Sequence, residues 1–471
     1  MTLRAPVLFG ILTLILPFSA VLPAGGAQAA VTWESLPKIL AKIRPPKFPA
    51  KDFEVTKFGG VTDGKTDSTA AIAAAIAACH AAGGGRVVIS EGTVLTGAVH
   101  LKSNVNLHIA KGATLKFQTD PTMYLPVVYT RFEGTECMNY SSLIYAFEQE
   151  NIAVTGEGTL DGSASLENWW TWRAGSGRAD SIESARKLVS MGEQAVPVEQ
   201  RVFGAAGRLR PNFITFYRCK NILVEAVQII RSPMWELHPV LSTNITIRGV
   251  KIATHGPNND GCDPESCRDV LIENCVFDTG DDCIAIKSGK NADGRRVNGV
   301  SENLIIRNCT MKDGHGGVVM GSEITGGCRN VFIENCTMDS THLDRALRFK
   351  SNAQRGGVVE NIFMRNVQIG EVSEAVLTVD FQYDTGAVGD YKPVLRNVHI
   401  ENVTSRSSPR VVWVQGIPQS TIEDIFFSNC SFRGLTGVEV MEHAGKIVFD
   451  HVTIEPAEKA RSLNSLAPSN P

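Results

Sequence analysis

Between residues 221 and 247 the chain reads Asn221-Ile222-Leu223-Val224 and then, 23 residues after that first Asn, Asn244-Ile245-Thr246-Ile247. The two copies are one short apolar, β-branched segment with an Asn at its head, the composition of a strand entered through a turn. Further versions follow at Val270-Leu271-Ile272-Glu273, Leu304-Ile305-Ile306-Arg307, Val331-Phe332-Ile333-Glu334, Ile362-Phe363-Met364-Arg365 and Ile425-Phe426-Phe427. The spacing is uneven: 30 residues from Asn244 to Asn274, 34 from Asn274 to Asn308 and 27 from Asn308 to Asn335. That pattern fits coils of a repetitive β structure with loop insertions and excludes strict helical repeats. No long amphipathic helix interrupts the series, which disfavours a βαβ architecture. A chain of 471 residues would ordinarily divide into two or three domains. A solenoid escapes that expectation, because each coil contacts only its neighbours, so one elongated all-β domain is allowed.

Ahead of the repeats, residues 1–29 carry the features of a secretory signal: Arg4, an apolar run from Val7 to Leu22, and the small-residue site Ala27-Gln28-Ala29. Pro17 and Pro23 break the run, which is also too short to span a bilayer comfortably. The mature chain is expected to begin near Ala30 and to be secreted or periplasmic. A Pro-rich lead (30–51) precedes the solenoid (52–456), and a flexible tail (457–471) follows it. Asp63 to Ser68 supplies turn and helix-start chemistry, and Ala70 to Ala82 is strongly helix-favouring up to Gly83-Gly84-Gly85. A lone apolar helix in this place suits a plug over the open end of a solenoid.

The eleven cysteines and the charge narrow the chemistry. Cys275, Cys309, Cys336 and Cys430 each follow an Asn at the head of an apolar strand, where equivalent positions stack as small buried hydrophobes. Cys262 and Cys267 are the better disulfide candidates, and the odd total leaves at least one thiol without an intramolecular partner. No paired CxxC or HxxxH spacing suggests a metal centre, and no cofactor is expected. The Asn-x-Thr triplets at Asn308 and Asn335 read as turn residues entering buried strands rather than as glycosylation acceptors. A net charge of −3 argues against a generally basic surface for nucleic acid or any other polyanion. An acidic ligand would need a local basic pocket.

Four polar motifs interrupt the strands: Asn258-Asn259-Asp260-Gly261, Gly280-Asp281-Asp282, Gly314-His315-Gly316 and Arg348-Phe349-Lys350. Asp260 and Asp281 are 21 residues apart, close to one coil, which would put them on neighbouring coils about 4.8 Å apart along the axis. Asp281 and Asp282 can share one side only if the backbone bends, and Gly280 permits that. Clustered carboxyls raise one another's pKa, so one stays protonated while another is ionised, the division of labour that glycoside hydrolysis needs. Arg348 and Lys350, two residues apart, share a strand side and suit a carboxylate ligand.

In order and spacing these motifs resemble the signature of glycoside hydrolase family 28, the polygalacturonases, loosely from Phe53 to Ile454. The resemblance implies a right-handed parallel β-helix of the pectin-lyase type with an N-terminal capping helix, acting on an acidic polysaccharide. The implied chemistry is inverting hydrolysis of α-1,4-galacturonosyl bonds. Asp281 would be the general acid, Asp260 and Asp282 would polarise water, and His315 would help keep the acid protonated. Asn258, Arg348 and Lys350, together with Trp235 and His238 on the preceding strand, would contact substrate. The Gly162 to Leu209 insertion, with Trp169, Trp170, Trp172, Arg173 and Arg178, resembles the corresponding segment of bacterial exo-polygalacturonases. It predicts a wall across one end of the groove and release of mono- or digalacturonate. The expected partner is the polysaccharide alone, with no nucleic acid, no membrane after cleavage, and a monomeric enzyme. Competing readings are a calcium-dependent pectate lyase on the same fold, a hydrolase of rhamnogalacturonan or xylogalacturonan, and a non-catalytic adhesin.

Overall fold

The strand heads of the repeat place an Asn, or an Asp at positions 269 and 424, in the left-handed region, with φ of +56° at both Asn221 and Asn244 and +60° at Asn330. Asn tolerates that conformation because its short amide bonds locally. Here the amides bond to one another instead. Asn151 donates to Asn104, Asn221 to Asn151 and Asn244 to Asn221, and a second run joins Asp269, Asn303, Asn330, Asn361 and Asn397. The computed structural model describes residues 31–418 and 420–457, so the signal-like segment and nearly all of the C-terminal tail lie outside the described residues. From Thr32 onward the chain forms one compact unit.

The ladders run along the edges of a parallel β-helix. One face is a 13-stranded parallel sheet from Asp52–Glu54 to Ile447–Asp450, and a second, also of 13 strands, runs from Asp63–Asp67 to Thr453–Pro456. Successive coils pair in register, as in Ile245↔Val270, Val270↔Leu304 and Leu304↔Val331, so like residues stack. The inward rows form one apolar core. Cys275, Cys309, Cys336 and Cys430 belong to it at 1 to 3% exposure, as their place after the Asn suggested. On the outer surface Phe332, Phe363, His399 and Phe426 stack along one stripe, and Trp33 of the lead segment packs against its first two rings. Arg44 of the lead exchanges two 2.8 Å bonds with the Asn244 side chain.

The helix expected at Ala70 to Ala82 spans Thr69–Ala81 and buries Ala71, Ile72, Ala75, Ile76 and Cys79 against the first coils. The disulfide expected between Cys262 and Cys267 is absent: all eleven cysteines are free and buried. Residues 262 and 265 pair with Ile284 and Lys287 along one extended segment. At about 3.3 Å per residue this separates Cys262 from Cys267 by more than the roughly 7 Å that a disulfide spans. No helix among the described residues is long and apolar enough to cross a membrane.

Candidate active site

The third face of the solenoid is interrupted, and the four motifs meet at the interruption. Its strands form one sheet of four ending at Leu237–Val240 and another of six beginning at Ile284–Ile286. Between them the Asp260 coil contributes only bridges: Cys262 pairs with Leu237 and Ile284, and Glu265 with Val240 and Lys287. Two residues upstream of the Leu237–Cys262–Ile284 line, the same register carries Trp235, Asp260 and Asp282. Asn259 is buried and pins its turn, accepting from Thr254 Oγ1 and the Gly256 N–H and donating to the Ser232 and Met234 carbonyls. A Cβ on Gly280 would sit 2.6 Å from the Gly256 carbonyl oxygen, so the two turns approach closely only because that side chain is missing. As a result one carboxylate oxygen from each of Asp260, Asp281 and Asp282 lies within 4.8 Å of the others.

The three carboxyls have different partners. Asp282 Oδ2 accepts from Lys350 Nζ at 2.6 Å, and its Oδ1 lies 3.9 Å from Arg348. Asp281 Oδ1 accepts from the Asp282 N–H at 3.0 Å and meets His315 Nδ1, also at 3.0 Å. Asp260 is buried with Lys287 3.7 Å away, and its Oδ1 has no hydrogen-bond partner among the described residues. Burial, reinforced by the charges of Asp281 and Asp263, pushes Asp260 well above the ordinary carboxyl range. Burial works on Asp281 in the same direction, but the His315 hydrogen bond and charge, with Lys350 and Lys287, outweigh it and bring Asp281 down to about 2. The bond to Asp281 raises His315 above 6.5. His315 and Asp281 therefore each favour the other's charged form. Together they form an ion pair.

Several groups that the motifs did not single out complete the site. Lys287, directly after the apolar run Ile284-Ala285-Ile286, lies 3.2 Å from Glu323, 3.4 Å from Asp263 and 4.4 Å from the Trp235 ring centroid. Burial opposes its charge, but Glu323, Asp263 and Asp260 hold the ammonium well above its usual value. Glu236 is buried with neither oxygen partnered, and burial followed by the Asp263 charge keeps its carboxyl strongly raised. The only hint of these roles in the sequence is a charged residue directly flanking a short apolar strand, Lys287 after Ile284–Ile286 and Glu236 before Leu237–Val240.

Lys287 and Glu323 line a cavity of about 390 Å³ with Asp260, Asp281, Asp282 and Lys350, whereas Glu236 and Asp263 are buried behind it. Trp235 and Asn258 reach it, although Asn258 also accepts from Arg210 at 2.7 Å and the Trp235 ring is covered by Lys287. Tyr383 lines the cavity, with its ring centroid 5.5 Å from Lys350 Nζ and 5.8 Å from the Arg348 guanidinium. His238 does not reach it. His238 is 0% exposed, held by Glu265 at 2.8 Å and Asn212 at 2.7 Å, and Glu265 is in turn bound by Arg131 at 2.8 Å. Arg131 belongs to the antiparallel hairpin Val128–Phe132/Thr135–Asn139, which lies over this strand and turns its outward side chain into a buried one.

The tryptophans of the insertion do not line this cavity. Trp169 is 1% exposed, edge-on to Tyr124 and Trp172, and Trp170 Nε1 donates to the Ser232 carbonyl. The polar stretch beyond them is a helix, Arg178–Glu193, with Arg178 exposed at its start. Arg173 alone from this segment lines the catalytic cavity. The cavity is not the basic pocket that an acidic ligand seemed to need. Arg173, Lys287, Lys290, Lys350 and Arg355 are interleaved with Glu133, Asp260, Asp281, Asp282, Glu323 and Asp384.

All four motifs fall within residues 200–453, the segment matched by the model of the family Glycosyl hydrolases family 28. A crystal structure of a hyperthermoactive exopolygalacturonase from Thermotoga maritima shares 44% identity and a TM-score of 0.86, over 89% of this chain and 96% of that one. A probable polygalacturonase of Vitis vinifera is 28% identical over 82% of this chain and 74% of its own length. An exo-poly-alpha-D-galacturonosidase of Dickeya chrysanthemi is 27% identical over 83% and 69%, respectively. The motif-bearing half matches the family model and 89% of the chain matches the exopolygalacturonase structure, so the chain belongs to glycosyl hydrolases family 28 and is a glycoside hydrolase of the parallel β-helix type.

Proposed function

We propose that the enzyme hydrolyses the α-1,4-galacturonosyl bonds of polygalacturonate from a chain end, with inversion at the anomeric carbon. The observation that carries this reading is the convergence of Asp260, Asp281 and Asp282 within 4.8 Å in a cavity that also presents Lys350. The family name of each relative above points the same way. In this reading the Asp281–His315 pair holds one transferable proton, on imidazole in the free enzyme, and delivers it through Asp281 to the departing oxygen. Asp281 is the more open of the two adjacent aspartates, with its side chain 20% exposed against 1% for Asp282. Asp282, ion-paired to Lys350, and Asp260 hold the attacking water between them. Arg348, beside Tyr383, is available to a substrate carboxylate in a forked contact.

Arg173, which lines the catalytic cavity, and the helix Arg178–Glu193, which walls the adjoining one, support end-on cutting. We place the enzyme outside the cytoplasm, secreted or periplasmic, on the features of residues 1–29, acting as a monomer on the acidic polysaccharide. The three clustered carboxylates would equally suit calcium in a lyase, so the test has to separate the two. Incubation with polygalacturonate should release reducing ends without any unsaturated, ultraviolet-absorbing uronide, and chelator should change the rate little. Ultraviolet-absorbing product that disappears with chelator would overturn hydrolysis.

A further inference from the structure

Beyond the catalytic residues the cavity adjoins a second one of about 480 Å³, walled by the insertion helix through Ala185, Leu188 and Val189. The two share Glu133, Lys290, Arg355 and Asp384. At this junction the cations are poorly matched. Arg355 is 2% exposed, its Nη2 reaches only Asp384 at 3.4 Å, and its Nε has no partner. Lys290 lies 3.7 Å from Glu133 and 3.9 Å from Glu323, ion pairs too long to be direct hydrogen bonds. By contrast, Lys350 is committed to Asp282 at 2.6 Å. A buried guanidinium that borders both cavities and is held by one long contact to a half-exposed carboxylate is under-matched, and an anion in the cavity would complete it.

The geometry points to Arg355 and Lys290 as a second carboxylate-binding position, which takes the uronate next to the one being cut. Arg355 supplies the planar fork and Lys290 the point charge. The ligand class is a hexuronate ring within an oligouronide, so this inference rests on the proposed activity towards polygalacturonate. The side chain of Asp384 is 55% exposed and can swing away as the substrate carboxylate replaces it. Specificity then comes from two discrete cationic contacts, which explains how a cavity with more carboxyls than cations accepts a polyanion.

The test compares di- and trigalacturonate, because a dimer fills only the two positions flanking the scissile bond and leaves the additional one empty. The wild type is expected to prefer the trimer. Arg355→Met is expected to lower kcat/KM on the trimer about tenfold or more, mainly through KM, and to lower that on the dimer by a clearly smaller factor. Arg355→Lys should recover part of the loss, and Lys290→Met should repeat the pattern more weakly. Equal losses on dimer and trimer would show a structural role and overturn the assignment, as would a wild type with no preference for length. Failure of the wild type to release reducing ends from polygalacturonate would instead remove the underlying reading of the activity, and the two failures are read from separate measurements.

Discussion

At Asp281 two demands meet in one carboxyl: it must give a proton, yet its hydrogen bond to His315 favours the charged form. The pair resolves this by carrying the proton jointly, and that makes a pH prediction with a definite sign. His315 is raised above 6.5, so the protonated pair persists at pH values where a free imidazole would already be neutral. The alkaline limb of kcat/KM should therefore lie above 6.5 in the wild type and move down in His315→Gln. The same pair affects stability. Its contribution is fully present between the unfolded carboxyl pKa of 3.8 and the unfolded imidazole pKa of 6.5. It fades as acid titrates Asp281 towards about 2, and again as alkali titrates His315 through its raised value. Asp281→Asn, nearly isosteric, should lower kcat on the order of 10²-fold or more while circular dichroism and oligogalacturonide binding stay close to wild type. Wild-type turnover in that variant would exclude Asp281 as the acid. Lys350 and Arg348 should separate: Lys350→Ala, by releasing Asp282, should reduce kcat, whereas Arg348→Ala should chiefly raise KM on acidic substrates. The Asp-rich motifs were legible in the sequence because each carries its own turn chemistry. Lys287 and Arg355 were not, because neither declares a partner locally and their partners sit on other coils.

A coil of this solenoid is specified by its Asn at the strand head, and the ladder makes the effect of losing one calculable. Asn330 donates to Asn303 and accepts from Asn361, both at 3.0 Å, with φ at +60°. Asn330→Ala removes two hydrogen bonds of about 1 kcal/mol each and adds a left-handed backbone penalty of about 1 kcal/mol, so denaturant midpoints should report a loss of roughly 2–3 kcal/mol. Asn330→Gly should lose less, since it keeps the backbone free to adopt the turn. Equal losses would show that the amide bonds alone matter. The strands and the Thr69–Ala81 helix could be read from the sequence for the same reason: periodicity and capping residues are local. What stayed hidden is the hairpin Val128–Phe132/Thr135–Asn139, which repeats nothing. Because it covers the Leu237–Val240 strand, His238 became a bonded interior residue instead of a substrate contact. The tryptophans of the insertion follow the same logic. Their number signalled an ordered segment, but Trp169 is used to anchor that segment to the solenoid.

Across the whole molecule, the site follows from where the third face breaks between its sheets of four and six strands. A continuous ladder would leave a shallow groove open at both ends, and a polymer could bind it anywhere along its length. Here the hairpin and the Arg178–Glu193 helix rise beside the break, and the helix lines the second cavity through Ala185, Leu188 and Val189. A polymer that threads through this region must end there, which predicts exo cutting. Viscosity of polygalacturonate should fall slowly relative to the release of reducing ends, with one small product from the outset. An early collapse in viscosity with few ends released would show endo action and would reduce the insertion to a cover over apolar solenoid surface. Replacing residues 178–193 by a short Gly-Ser linker supplies the reciprocal test. The segment packs on the outside of the β-helix and contributes Leu188 to a small satellite cluster rather than to the main core, so its removal should leave the coils folded. With the wall gone, viscosity loss per bond cut should increase and products should lengthen. If the shortened enzyme is folded and still releases a single small product, the end-blocking element lies in the Val128–Asn139 hairpin instead.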